Sequence, residues 1–370
     1  MIEHKLLLAI IAAYHRVVLA LATLGVTILV TLNSLFRKVR MSHENGLLLR
    51  GHVRIVDDQT FPANDFFEPG KTFPCRVRHA AASFLDDAKL VVRSASIKFA
   101  DEQIKSPFDM LMNSGDMPLF WNARTFMGFM RVSMRGRGKR YVPFLKRHPQ
   151  ASLGGGSSVR RNPEAVDQMV YNSKTTYGYT AADGIRYYVR YRLEPDPPPA
   201  QQTGRPDDFD RSHSWLQNPY RDETRTRNYL KDATRKRLEN GEVLRYRFKA
   251  QFRLPPPDDF HQPEWVASTV PWDEDRFPFH TIAEVELDEA LSYEESQRTY
   301  FDMSHHPKSL FIPLGRSIDD PHSLNNLRIA SIWARRIRLF SYRFGGMPPA
   351  FSDSRRDSDW EGIPPIQNPP

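Results

Sequence analysis

Residues 17 to 36 read VVLALATLGVTILVTLNSLF, a run of 20 residues without a charge. A helix rises about 1.5 Å per residue, so this run matches the hydrocarbon thickness of a bilayer, about 30 Å. The stretch before it, Leu6 to Tyr14, is also apolar, and only His15 and Arg16 interrupt residues 6–36. Arg37, Lys38 and Arg40 follow at once, as at a headgroup boundary. The run is long for the apolar part of a cleaved signal peptide, and no clean small-x-small site precedes the basic cluster. The expectation is a retained anchor in the lipid bilayer over residues 1–37. The basic flank puts the bulk of the chain on the cytoplasmic or matrix-like side, with Lys5 and Arg16 arguing against that orientation.

The remaining length suits one large domain or two modest ones. The single cysteine, Cys75, excludes an intramolecular disulfide and any metal site built on several thiolates. The net charge is +8. The positive residues are spread along the chain without a helix-turn-helix, zinc-finger or RNA-recognition signature, so nucleic acid is not expected as a partner. The densest basic stretch, Arg131 to Arg147, reads as a solvated loop or as a contact with lipid headgroups.

Short runs of alternating apolar and polar residues mark strands at Leu47–Val56, Thr72–His79, Lys89–Phe99, Thr175–Leu193, Val243–Leu254 and Thr281–Leu287. Asp109–Met130 is rich in Met, Phe and Trp and reads as a buried or pocket-lining stretch, not a regular strand. Gly154–Asn162 reads as flexible loop, and 194–223 as a polar, proline-rich insertion. Tyr229–Asn240 has helical spacing and ends at Gly241; Ser323–Tyr342 is helical again. Residues 345–370 are Pro-, Ser- and Asp-rich and read as a disordered tail. About seven antiparallel strands with helices gathered late predict an α+β chain: a β-barrel over 38–344 with flanking and C-terminal helices. No internal repeat is evident.

Arg338 and Tyr342 are four residues apart, and so share a helix face. Such a pair is usually a surface feature, but a guanidinium against a phenol oxygen also favours its anionic form. The order of motifs along the chain resembles the haem catalase superfamily, including its small members that act on fatty-acid hydroperoxides. Arg40-Met41-Ser42-His43 resembles the family's Arg-x-x-His, and Val77-Arg78 its Val-Arg at a strand end. Phe108 to Asn113 resembles the segment ending in the distal asparagine, and Phe126 follows at the spacing of the family's haem-stacking phenylalanine. Tyr229 to Gln251 and Trp272 to Val285 follow in order, and Arg338 to Tyr342 matches the proximal motif.

The resemblance implies a catalase-type barrel holding haem b. Tyr342 would be the iron ligand, supported by Arg338. Arg40 and Arg78 would meet the propionates, and Phe126 would pack on the porphyrin face. His43 and Asn113 would be the catalytic pair, with His52 as the alternative histidine. The family follows Val-Arg with an aromatic and a serine that supports the distal histidine; His79 and Ala80 stand there instead. The anchor favours a lipid-borne peroxide. Phe108, Met110, Leu111, Met112, Phe120 and Trp121 are expected either to wall an apolar distal pocket or to be barrel core. The expected function is a membrane-anchored haem enzyme for fatty-acid or organic hydroperoxides, by reduction or rearrangement. The alternatives are an accessory subunit of a membrane complex on the same scaffold, and haem binding for sensing or storage.

Overall fold

The alternating runs resolve into strands of a closed barrel. The computed structural model describes residues 2–82, 86–135, 141–206, 219, 223–255 and 263–350. The strands are β1 (Gly46–Ile55), β2 (Thr72–Ala81), β3 (Val91–Lys98), β4 (Asp109–Ser114), β5 (Val159–Arg160), β6 (Tyr171–Asn172), β7 (Tyr177–Thr180), β8 (Arg186–Pro195), β9 (Leu244–Arg253), β10 (Phe279–Ala290) and β11 (Leu310–Phe311). The order β1-β2-β3-β4-β6-β8-β9-β10 returns to β1, so eight antiparallel strands close on themselves and leave no edge. β7 and β11 extend the sheet beside β8, and β5 pairs with β3.

Alternation decides what fills the barrel. Leu47, Leu49, Val77, Ile97, Met110, Met112, Tyr191, Phe248 and Val285 point inward into one buried cluster. The opposite face of β1, β2 and β4 meets the helices. Closure needs a tight approach at Gly51, where the β1–β10 register shifts between Arg50 and Gly51. A Cβ there would lie 1.8 Å from the Glu286 carbonyl oxygen. That oxygen belongs to the paired strand and cannot step aside. Gly51→Ala is therefore expected to destabilise the barrel by about 1–3 kcal/mol, measured by urea unfolding.

The helices are α1 (Ile2–Arg37), α2 (Ala123–Arg135), α3 (Tyr141–Arg147), α4 (Pro149–Ser158), α5 (Tyr229–Glu239), α6 (Pro263–Val266), α7 (Tyr293–Arg298), α8 (Ser323–Ala330) and α9 (Ile332–Ser341). α1 contains the segment Lys5–Arg37, which is long and apolar enough to cross a membrane. It also packs lengthwise on α8 and α9. Leu19 is buried with Ala123, Ile318, Leu324 and Leu327.

Several expectations change. Asp109–Met130 opens with a regular strand, β4, and continues into α2. Its many large side chains conceal the alternation, because the barrel face takes Met and the helix-facing side takes Leu111 and Asn113. Gly154–Asn162 is the end of α4 and then β5. Gly154 and Gly155 are buried, and a Cβ on Gly154 would lie 1.8 Å from the Pro118 carbonyl oxygen. These glycines permit close packing and do not mark a loop. The predicted C-terminal helix is two helices meeting at Ser331. Of the insertion 194–223, residues 207–218 and 220–222 lie outside the described residues, as do 136–140 of the basic stretch and 351–370 of the tail.

Candidate functional site

The outer face of β1 and β2 starts the site. The turn before β1 holds His43 at φ 58°, a left-handed conformation uncommon for a residue with a side chain. The His43 N–H donates to the Ala82 carbonyl (3.0 Å). Its carbonyl accepts from Arg78 Nη1 (2.8 Å), and the Glu44 carbonyl accepts from Arg78 Nη2 (3.1 Å). Arg78 Nε donates to Ser296 Oγ on α7 (3.1 Å). The guanidinium lies so close to the backbone of Gly46 that a Cβ there would be 2.4 Å from its Cζ. Only glycine leaves this cradle open.

Arg40 reaches the same place from the end of α1. Its Nη2 donates to the carbonyls of Ser296 (2.9 Å) and Thr299 (2.6 Å), and its Nε has no partner. From α9, Arg338 is 1% exposed and donates through Nη1 to the Gln297 carbonyl (2.7 Å) and to the Tyr342 hydroxyl (2.5 Å); its Nη2 is unpaired. The expected pairing of Arg338 with Tyr342 through one helix face is present.

The electrostatics are one-sided. Burial first, and then the Arg338 charge, lowers Arg78 to about 9. Burial, then Arg78 and Arg338, holds Arg40 well below the usual arginine value. Burial also lowers Arg338, with Tyr342 acting the other way. Among the described residues, no carboxylate forms an ion pair with Arg40, Arg78 or Arg338. Buried guanidinium groups that share only carbonyls and hydroxyls lack counter-charge, which costs several kcal/mol unless an anion completes the set. A bound group with two carboxylates fits this arrangement. Arg40 and Arg78 would hold haem by its propionates, while Arg338 would hold the Tyr342 oxygen that meets the iron.

His43 adjoins this set. Its Nδ1 is 3.0 Å from Ser42 Oγ, its Nε2 has no partner, and Asn113 on β4 faces its ring. Burial lowers His43 to about 4, helped by Arg78 and Arg40, so the imidazole is neutral over the physiological range. With Nδ1–H donating to Ser42, Nε2 keeps a free lone pair. Arg328 of α8 spans the floor, donating to Thr175 Oγ1 (2.9 Å) and to the Leu111 carbonyl (3.3 Å).

The structure thus brings His43, Asn113, Arg40, Arg78, Arg338 and Tyr342 to one region. Phe126 packs with Phe120, their ring centroids 4.9 Å apart, in the cluster that includes Leu19 of α1. The alternative histidine, His52, is on the exposed face of β1 beside Glu286 (3.5 Å) and away from the arginines. Of the proposed apolar wall, Phe108, Met110 and Met112 are barrel core, because strand alternation turns them inward. Leu111 and Asn113 face the site side.

Sequence reasoning missed four parts of this region. Ser42 takes the Nδ1 contact in the absence of a serine after Arg78; its adjacency to His43 was the available signal. The α7 carbonyls and Gly46 carry no local signal. Nor does the Lys98–Asp109 ion pair, fully buried at 2.9 Å. His79 points into the barrel against Tyr171 and Tyr246, and burial lowers it to about 4. Both histidines protonate near 6.5 when unfolded but only near 4 when folded. Their contribution to stability is full above 6.5, and it is lost as pH falls towards 4. Each adds a slope of up to about 1.4 kcal/mol per pH unit in that window. His79→Phe is expected to flatten the pH dependence of the urea midpoint between these limits relative to wild type.

No family model matches the chain. It is 32% identical over 319 residues to the allene oxide synthase-lipoxygenase protein of Plexaura homomalla, covering 84% of this chain and 29% of that protein. It is 25% identical over 305 residues to the linolenate 9R-lipoxygenase of a Nostoc strain, covering 77% of this chain and 36% of that protein. The chain therefore spans about a third of the length of these relatives. Among solved structures, a bacterial catalase superposes with a TM-score of 0.63 at 17% identity, covering 85% of this chain and 60% of the catalase. Catalase A from Saccharomyces cerevisiae superposes at 0.62 with 17% identity, covering 90% and 74%. At such identity the likeness is one of fold. A closed antiparallel barrel with helices packed on it is the architecture shared with these catalases. Together these likenesses support a remote relationship to the catalase-related haem proteins, with the fold shared.

Proposed function

We propose that this chain is a haem enzyme acting on fatty-acid or other organic hydroperoxides at a membrane. The observation that carries this reading is the set of buried arginines without an ion-pair partner among the described residues, one on the Tyr342 oxygen and one on the His43 carbonyl. Haem bound there would supply iron-centred cleavage of a peroxide O–O bond. Tyr342 would be the ligand, and Arg338 would hold its oxygen. His43 Nε2 would take the proton of the incoming hydroperoxide and return it to the departing oxygen. Asn113 would hold that oxygen by donating its amide hydrogen. Ser42, whose Oγ is 3.0 Å from Nδ1, would orient the imidazole. The name of the Plexaura relative pairs an allene oxide synthase with a lipoxygenase, and this supports a fatty-acid hydroperoxide over hydrogen peroxide. The apolar α1 supports delivery from a membrane.

The test is direct. The purified full chain is expected to show a Soret band and to turn over linoleate hydroperoxide faster than hydrogen peroxide. A folded preparation that takes up no haem would overturn the haem reading and leave a scaffold or accessory role. Faster turnover of hydrogen peroxide would overturn the substrate class. Gly46→Ala is expected to displace Arg78 and to weaken haem retention on dilution by about tenfold, which is the cost of disturbing one charge-assisted contact.

A further inference from the structure

We infer that α1 lies flat in the membrane interface as part of one face with α9, and does not cross the bilayer. This rests on the membrane attachment proposed above but not on the haem chemistry.

The polarity of α1 is reversed from that of a helix on a soluble domain. Towards the domain α1 turns Leu19 and the valines Val18, Val26 and Val30, together with small or polar residues such as Ala22, Thr27, Thr31 and Ser34. Exposed positions include Leu21, Leu24, Ile28, Leu32, Leu35 and Phe36. Small residues against protein and large apolar ones outside are the pattern of a helix facing lipid.

The neighbours rule out a crossing. Tyr14 and His15 lie near Arg124 and Asp319, Leu19 packs on Leu324 and Leu327, and Lys38 Nζ reaches the Phe344 carbonyl. The uncharged run is therefore docked along α8 and α9 for its whole length. A crossing would carry Arg328, Arg335, Arg336 and Arg338 into hydrocarbon with it. A flat placement avoids this, because the inner arginines stay beneath α1 and the outer ones reach headgroups.

α9 continues the face. Trp333, Phe340 and Phe344 are 57%, 52% and 63% exposed. The Arg336 guanidinium lies 5.6 Å from the Trp333 ring, and that of Arg343 lies 6.0 Å from the Phe340 ring. Exposed Arg37 stands at the end of α1. Aromatic side chains interleaved with arginines suit the headgroup level of an anionic membrane. The inner side of α9 carries Arg338 and leads to Tyr342, so the site sits one helix away from the lipid.

The experiment uses the full chain with sealed phosphatidylcholine vesicles, with and without phosphatidylserine. Flotation is expected, and phosphatidylserine is expected to strengthen it. Lys5→Cys and Glu239→Cys, each in a Cys75→Ala background, should both react with an impermeant maleimide added outside. The double variant Trp333→Ala/Phe340→Ala is expected to lower vesicle partition about tenfold without changing the circular dichroism spectrum. Protection of Lys5→Cys while Glu239→Cys reacts would show a crossing and overturn the flat placement, leaving membrane attachment intact. Undiminished partition of the double variant would overturn the role of α9. No flotation, a stable dimer burying α1, or recovery of a chain cleaved after α1 would overturn membrane attachment itself, with the haem reading untouched.

Discussion

Tyr342→Phe is expected to abolish iron ligation while leaving the fold in place. The change deletes one oxygen and keeps the ring, which is buried at the end of α9. The oxygen lost is the one that accepts from Arg338 Nη1 at 2.5 Å. Arg338 keeps its bond to the Gln297 carbonyl, so the variant is expected to lose about 1–3 kcal/mol of stability and to remain folded. Its effect on function is far larger. Removing a residue that acts as part of a unit costs the action of the whole unit, and turnover is expected to fall by about a thousandfold or more. The check is the absorption spectrum with turnover of linoleate hydroperoxide. An unaltered spectrum in Tyr342→Phe would mean that another residue binds the iron. Arg338→Lys separates the two roles. It keeps a positive charge but loses the planar guanidinium whose Nη1 serves Gln297 and Tyr342 together, so a shifted spectrum with ligand retained is expected.

Asp109→Ala is expected to have the largest effect on stability. Asp109 accepts both contacts of Lys98 Nζ (3.0 and 2.9 Å), the Asp302 N–H (2.8 Å) and His305 Nδ1 (3.0 Å). Neither partner of the Lys98–Asp109 pair has exposed side chain. Burial lowers Lys98 from its usual value, and Asp109 pulls it back. Without Asp109 the ammonium keeps the Ile104 carbonyl (3.2 Å) and the Phe301 ring (5.7 Å), and loses its ion-pair partner. Breaking one partner of such a pair costs about 3–5 kcal/mol, a fall in Tm of roughly 10 °C for a domain of this size. The double variant Lys98→Met/Asp109→Leu removes both charges and is expected to recover part of that loss. If both unfold at the same midpoint, the cost lies in packing and not in the stranded charge. The network joins β3, β4 and the segment after α7, and so braces the strand that carries Asn113.

The strands were readable where one face of the sheet met polar surroundings. β1, β9 and β10 alternate visibly because solvent or charged partners such as Arg245–Glu286 occupy the outer positions. β4 was not readable, because it is short and Leu111 between Met110 and Met112 makes an apolar run that hides its period of two. The glycines of 154–155 misled for a related reason: local sequence records that a side chain is missing, but not that Pro118 occupies the space.

The order of short motifs from Arg40 to Tyr342, and the Arg338–Tyr342 pair, are legible in the chain before it folds. These features need only neighbours in the chain or one turn of helix. Tertiary structure alone decided that Ser42 contacts His43, that His52 is excluded from the site, and that α7 carbonyls and a bare Gly46 seat the arginines. It also decided that the apolar α1 lies docked along α8 and α9. These are contacts between segments remote in the chain, as with Arg78 and Ser296, and only closure of the barrel brings them together.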